Sequence, residues 1–391
     1  MNKTLPSNPS PLPHVGEGRD LVLLINLGTP NSPSKKDIKN FLSAFLMDKR
    51  VVSLPYILRF ILVRLIIIPF RLSKVQKIYQ SVWDKNNLNN NSGSPLLKNT
   101  NQLCEKLQKY LNQKNLNILI QPAMTYGEPN LKIILKNNLK NIPQNNFKKI
   151  IFIPLYPQFS HTTTTAALDQ ILKILPHPDL VSPTTLPSPP SSLPHVGEGR
   201  VMFISSYFNH PLYIQALTHS IKNYQNQHGR PDLLIFSFHG LPKINIQKGD
   251  PYLSQCEITV KLLAESLNLK PSDYLITFQS RVGKQAWLEP YLEEVLKNLP
   301  TDKNIKNKNI KSIQIICPGF SMDCIETLEE IEIRARELFL SSGGEKFGYI
   351  PCLNNSDDQI LLLENLILNL VSPLVGETGP QGQRGSPIKT P

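Results

Sequence analysis

What most constrains this chain is a rhythm. Seven apolar runs of strand length each stop at a glycine, proline or polar turn, and a segment with helical spacing follows each one. The first run, Asp20–Gly28 (DLVLLINLG), gives way to Gly28-Thr29-Pro30, after which Ser34–Leu46 repeats apolar residues three and four apart. Continuous rather than alternating hydrophobicity marks a strand buried on both faces, as in a parallel sheet. Ser34 is placed to cap the helix behind it, because its hydroxyl can accept an otherwise unpaired N–H of the first turn. The pairing recurs over 115–141, 147–175, 200–227, 232–269, 273–299 and 312–344. Alternation on this scale predicts an α/β fold with two Rossmann-like, doubly wound parallel-sheet lobes. Ligands of such sheets bind beyond the carboxyl ends of the strands, here in the cleft between the lobes.

Three stretches interrupt the rhythm. The octapeptide LPHVGEGR occurs at Leu12–Arg19 and again at Leu193–Arg200, and the fragment SPLVGE occurs at Ser372–Glu377. All lie in Pro-, Gly- and Ser-rich surroundings, which hold many of the chain's 34 prolines and cannot bury a core. The spacing is too irregular for a solenoid, so these are read as copies of a mobile DNA repeat translated at permissive places. Such insertions cost little, because loop closure grows only logarithmically with length. Each octapeptide offers one histidine, His14 or His195, with no partner cysteine or carboxylate cluster, so neither is expected to bind metal. The resulting division is a disordered extension 1–19, an N-terminal lobe 20–178, a disordered insertion 179–200, a C-terminal lobe 201–371 and a disordered tail 372–391.

Lys and Arg exceed Asp and Glu by 42 to 30, a formal charge of +12, which favours anionic partners. No basic run dominates, so nucleic acid is not expected. The five cysteines are scattered and form no C-x-x-C pair, which excludes a disulfide framework, a zinc ribbon and a dithiol redox motif. The N-terminus lacks the apolar core of a signal peptide, so the expected location is cytoplasmic. Residues 51–70 are the most apolar stretch, but only 13 residues separate Pro55 from Pro69, short of the roughly 20 that a membrane span needs. Three readings stay open: a core helix, an apolar lip resting in a bilayer interface with Arg59 and Arg64 at lipid phosphates, and, least favoured, a true transmembrane helix.

The chemistry concentrates just past strand ends. His239 follows LLIFSF and is held by Gly240-Leu241-Pro242, where ligands of an α/β sheet bind, although a packing role would suit it equally. After the run Ser312–Phe320 come Asp323, Cys324, Glu326 and Glu330. Glu326 and Glu330, four apart, share a helical face. Asp323 reads as a first-turn acid answering the helix dipole. One imidazole and one carboxylate from the same lobe can bind a divalent metal weakly and can move protons. The phosphate-binding G-x-G-x-x-G and G-x-x-x-x-G-K-[ST] patterns and the hydrolase G-x-S-x-G are absent, so nucleotide and serine-hydrolase chemistry lose their best support.

Nine ordered blocks resemble the ferrochelatase family, bacterial type: LLINLGTPNSP, FLMDKRVVSLP, GSPLL, PLYPQFSHTTTTAAL, FSFHGLP, KGDPYLSQCE, ITFQSRVGKQAWLEPY, PGFSMDCIETLEEI and GYIPCLNNS. The resemblance spans about Asp20 to Leu370 outside the insertion. It implies a lyase that inserts Fe2+ into protoporphyrin IX in the final step of haem biosynthesis, releasing two protons, with Fe2+ as substrate and no resident cofactor. It further implies that His239 and Glu326 are catalytic residues and metal ligands, that Glu330 lies on a proton path, and that Tyr126, Tyr156 and Trp287 line the porphyrin pocket. By the same resemblance, 51–70 is the lip around the pocket mouth and touches the inner membrane from the cytoplasmic face.

Some positions depart from the family pattern. Thr125 stands where the family usually has Arg, which removes a cation that could hold a propionate. His161 stands where some relatives have the central cysteine of a 2Fe–2S cluster, and no cysteine follows Cys352, so no cluster is expected. Cys324 stands where some relatives have His and reads as a small buried residue. An alternative function is a tetrapyrrole-binding or carrier protein of the same fold without chelatase activity.

Overall fold

The computed structural model describes residues 18–83, 93–140, 147–175, 201–283, 285–301 and 310–371. The three repeat-bearing stretches lie outside the described residues except for Gly18 and Arg19. Arg19, placed in the extension by its sequence, joins the first lobe: its carbonyl accepts the Lys148 N–H at 2.9 Å and its guanidinium lies over the Phe147 ring.

Two four-stranded parallel sheets form the frame. The first contains β1 (Asp20–Asn26), β2 (Ile118–Met124), β3 (Ile150–Pro154) and β4 (Val201–Phe203), in the order β2-β1-β3-β4. The second contains β5 (Leu233–His239), β6 (Tyr274–Gln279), β7 (Ser312–Ile316) and β8 (Lys346–Ile350), in the order β6-β5-β7-β8. The two orders are one topology used twice. Each sheet reverses its winding between its first and third strands in chain order, so each has a switch point, at β1/β3 and at β5/β7, where strand ends leave a crevice.

Burial explains the unbroken apolar runs. Leu21 to Ile25 of β1 are all 0% exposed, with helices on both faces of the sheet. One cluster of buried side chains runs through both lobes, joining Leu24 and Ile153 to Phe236 and Phe238 and to Leu363 and Ile367 of the last helix, Asp357–Val371. A polar seam backs it. The buried Asp250 carboxylate takes the Ser160 hydroxyl and the His161 N–H, both at 2.9 Å, and the Tyr252 N–H at 3.1 Å. The lobes are therefore held in register by shared apolar packing plus a buried carboxylate, whose loss would strand two backbone N–H groups.

The sequence-derived helices form largely as expected. Ser34 caps Lys35–Leu46 by accepting the Asp37 N–H at 3.2 Å. The segment 51–70 differs. It is not broken at Pro69: a helical turn Tyr56–Phe60 runs into a π-helical stretch, Ile61–Ile67, and on into Ile68–Val82. The Ile68 N–H bonds Val63 O five residues back, and Pro69 follows at the start of the next helical segment, where a missing donor is tolerated. The core-helix reading also fails for most of the stretch, since Ile57 is 71% and Phe70 83% exposed. Arg59 points the opposite way from the interfacial expectation. It is buried and donates to Val52 O at 3.2 Å and Leu54 O at 3.1 Å, pinning the lip to the loop before it. Only Arg64 of the two arginines faces outward.

Candidate active site

The site grows from the carboxyl end of β5. The half-buried His239 closes that strand, and its Nδ1 lies 2.7 Å from Gly240 O. A carbonyl can only accept, so Nδ1 carries a proton, and in the neutral imidazole it is Nε2 that keeps the lone pair. Gly240 is required by close approach rather than by a turn. A Cβ there would stand 2.9 Å from Gln279 O and 3.2 Å from Cε3 of Trp287. The Gly240 N–H donates to that same Gln279 carbonyl at 2.8 Å, and Trp287 is fixed by its own Nε1–H to Val282 O at 2.9 Å. Gly240, the residue that anchors the imidazole, is thus wedged between the end of β6 and an indole.

Gln279 is the register partner of His239 across β5/β6. Its side chain, 3% exposed, accepts from Ser237 Oγ at 2.8 Å and donates from Nε2 to the carbonyl of Glu326 at 2.7 Å. That bond brings the β7-side segment to the β5 strand end. Glu326 lies in the short turn Ile325–Thr327, where the Cys324 N–H donates to Thr327 Oγ1 at 3.0 Å. Glu330 follows on the π-helical stretch Leu328–Ala335. It is held by Ser280, whose N–H donates to Oε1 at 2.8 Å and whose hydroxyl donates to Oε2. Burial pushes the Glu330 carboxyl above its usual range, although Ser280, Arg334 and His239 all pull it back.

The structure brings His239, Glu326, Glu330 and Trp287 together around one strand end of the second lobe. Tyr126 and Tyr156 form a separate pair at the β2 and β3 ends of the first lobe. The Tyr126 hydroxyl donates to Asp48 Oδ2 at 2.8 Å and its ring meets Phe45 edge-on. Burial and then the Asp48 charge raise that hydroxyl. Tyr156 is raised by burial, with Thr125 beside its hydroxyl working the other way.

One site residue escaped the sequence. Tyr79, buried on Ile68–Val82, has its hydroxyl raised first by burial and then by the nearby Glu326 charge. It is a first-lobe group standing at the second-lobe carboxylate. No sequence signal marks it, because the helix that carries it runs on past Pro69.

Asp323 corrects its expectation. It lies before the helical turn, and rather than answering a dipole it accepts from the Tyr349 hydroxyl, the Cys352 N–H at 3.2 Å and the Asn354 amide at 2.7 Å. It ties the loop after β8 to the loop after β7. His161 belongs to the inter-lobe seam, its N–H on Asp250 and its Nδ1 3.1 Å from Thr165 Oγ1. All five cysteines are buried and free, and burial pushes the Cys104 thiol up to about 12. Among the described residues, no group of three or more His, Cys, Asp or Glu is arranged to hold a metal ion.

A family model described as Ferrochelatase matches residues 19–370. The chain belongs to the ferrochelatase family. It is similar to the ferrochelatase of Hamiltonella defensa, at 41% identity over 88% of this chain and 97% of the relative. It is also similar to that of Acinetobacter baumannii, at 38% identity over 88% of this chain and 93% of the relative. Among solved structures, SirB from Bacillus subtilis with Fe3+ superposes at a TM-score of 0.46 with 12% identity, covering 72% of this chain and 92% of that one. As a ferrochelatase the chain is a lyase of haem biosynthesis, with ferrous iron and a porphyrin as its substrates.

Proposed function

We propose that this ferrochelatase inserts Fe2+ into protoporphyrin IX with His239 and Glu326 as the pair facing the metal and the pyrrole protons, and Glu330 as the next proton acceptor. The reaction exchanges one Fe2+ for two N–H protons, with no change of oxidation state. It needs a lone pair near the macrocycle centre, an anion to offset incoming charge, and a way out for protons. One observation carries the reading: the Nδ1–H of His239 is spent on Gly240 O, so in the neutral imidazole Nε2 is the nitrogen free to act as base and ligand. Glu326 supplies the anion from a segment held against the same strand end. Glu330, with its carboxyl raised by burial, takes up a proton more readily than an exposed glutamate. Trp287 on one lobe and Tyr126 and Tyr156 on the other serve as walls for the flat ring. No resident cofactor or iron–sulfur cluster enters this reading.

The lip gives the enzyme a place to rest. No helix among the described residues is long and apolar enough to cross a membrane. Tyr56, Ile57, Leu58, Leu65 and Phe70 nevertheless face outward together. No acidic residue occurs between Asp48 and Asp84, while Arg64, Arg71, Lys74 and Lys77 are exposed there. An apolar face edged with cations fits the cytoplasmic surface of an anionic bilayer.

The test is His239→Ala, followed by porphyrin fluorescence during iron insertion. Insertion is lost while porphyrin binding persists. Unchanged turnover would overturn the assignment.

A further inference from the structure

Two consecutive residues at the end of β6 touch both acidic segments, and neither is a candidate ligand or proton carrier. Gln279 holds the main chain of Glu326 through Nε2, at 2.7 Å. Ser280 holds the carboxylate of Glu330 through its N–H, at 2.8 Å, and its hydroxyl. We propose that Gln279 and Ser280 act as a positioning clamp that sets the Glu326 and Glu330 carboxylates relative to His239 during metal insertion.

Gln279 can take only one orientation. Glu326 O is purely an acceptor, so the side-chain NH2 must face it. The Ser237 hydroxyl at 2.8 Å and the Cys317 thiol at 3.6 Å can both donate, so they face Oε1. The backbone of the same residue is locked to the histidine, paired with it in register and accepting the Gly240 N–H at 2.8 Å. One buried residue therefore spans from the imidazole-bearing strand to the carboxylate-bearing turn, with no flexible link between.

Ser280 shows that this placement comes at a cost. Its φ is +66°, a left-handed conformation that a non-glycine residue adopts only against strain. That conformation is what aims its N–H and its hydroxyl at the same carboxylate. The element being held also needs a clamp. Leu328–Ala335 is π-helical, a winding with poorer hydrogen bonding than the α-helix and common where function displaces stability. Strain on one side of the contact and an irregular helix on the other are retained together, with the clamp between them.

The inference rests on the reading of His239, Glu326 and Glu330 as the reacting groups. Gln279→Met keeps side-chain length and removes the donor to Glu326 O. Ser280→Ala keeps the N–H and removes the hydroxyl on Glu330, and as the smaller change it carries the test should Gln279→Met not fold. Full-length variants are assayed for kcat, for the KM of porphyrin and Fe2+, for porphyrin binding and for thermal melting. A misplacement of an ångström in a reacting group costs up to about a hundredfold, so kcat falls about tenfold or more. The KM for porphyrin and its binding stay within about twofold. A purely structural residue would instead lower melting and binding along with turnover. A kcat within about twofold of the parent in a folded variant overturns the clamp, and so does a loss confined to porphyrin KM. His239→Ala is run beside them. Activity surviving there overturns the underlying reading, whereas an inactive His239→Ala with fully active clamp variants overturns the clamp alone.

Discussion

The imidazole of His239 is tied to its own neighbour, with Nδ1 2.7 Å from Gly240 O, and Gly240 is in turn pressed against the Gln279 carbonyl. Ring orientation and tautomer therefore depend on a residue that has no side chain. Gly240→Ala would place a Cβ 2.9 Å from Gln279 O and 3.2 Å from the Trp287 ring, and the backbone atom cannot yield. Overpacking of this kind costs about 1–3 kcal/mol. We expect denaturant unfolding to register that loss. The kcat should fall further than the stability change implies, since the displaced atoms carry His239. Wild-type kcat in Gly240→Ala would show that the imidazole is oriented by something else.

Glu330 predicts a trade of stability against turnover. Burial raises its carboxyl above the ordinary 4.5, so the folded state holds the proton more tightly than the unfolded state. Its contribution to stability is complete below about pH 4.5 and is lost as pH rises through the window between that value and the raised folded one. Glu330→Gln removes the ionisation and can still accept from Ser280. The variant should match the parent near pH 4 and exceed it in stability at pH 8, as read by urea unfolding at the two pH values, while inserting iron more slowly. A variant less stable than the parent at pH 8 would show that the charged form is the one the fold favours.

The sequence made the fold legible where burial on both faces left unbroken apolar runs, as in β1, β5 and β7. It hid β8, Lys346–Ile350, because Gly348 interrupts a short run. That glycine is there because a Cβ would meet Gln314 Cγ at 2.9 Å. It hid the helix Pro95–Gln113 as well, where buried Leu96, Leu103, Leu107 and Leu111 are diluted by Asn, Gln and Lys. In the lip, residues are apolar nearly all round, so periodicity could not say which face turns inward, and Arg59 was assigned to the wrong side. At the site, residue type and position after a strand single out His239 and the acidic run holding Glu326, and the family resemblance picks Glu326 from that run. Gln279, Ser280 and Tyr79 were not, because what they do depends on which atom faces which partner, and that emerges only from folded geometry.

The outward lip makes a binding prediction that leaves the catalytic groups untouched. Ile57 and Phe70, at 71% and 83% exposure, contribute little to the folded core, so Ile57→Asp and Phe70→Asp should fold normally. Each loses an apolar side chain worth about 1.5–3 kcal/mol when buried, roughly tenfold or more in partition. Co-sedimentation with vesicles containing anionic lipid should drop accordingly in both variants, while insertion into detergent-solubilised porphyrin persists. Equal sedimentation of parent and double variant would remove the membrane-facing role of this surface.

Asp250 tests how far activity depends on the lobes being held together. Its carboxylate, 3% exposed, serves the Ser160 hydroxyl, the His161 N–H and the Tyr252 N–H at once. Asp250→Ala leaves the His161 and Tyr252 N–H groups without that acceptor, while the Ser160 hydroxyl keeps Thr162 Oγ1 at 2.9 Å, at a cost of ~3 kcal/mol. Asp250→Asn keeps one acceptor oxygen and should lose less. The residue touches none of the proposed reacting groups, yet Tyr79 of the first lobe lies close enough to Glu326 of the second to feel its charge. Relaxing the seam should therefore raise the KM for porphyrin in proportion to the loss of stability across the two variants. Steady-state kinetics beside urea unfolding decides it: a destabilised Asp250→Ala with an unaltered porphyrin KM would mean that the apolar core running through both lobes fixes the cleft without help from the seam.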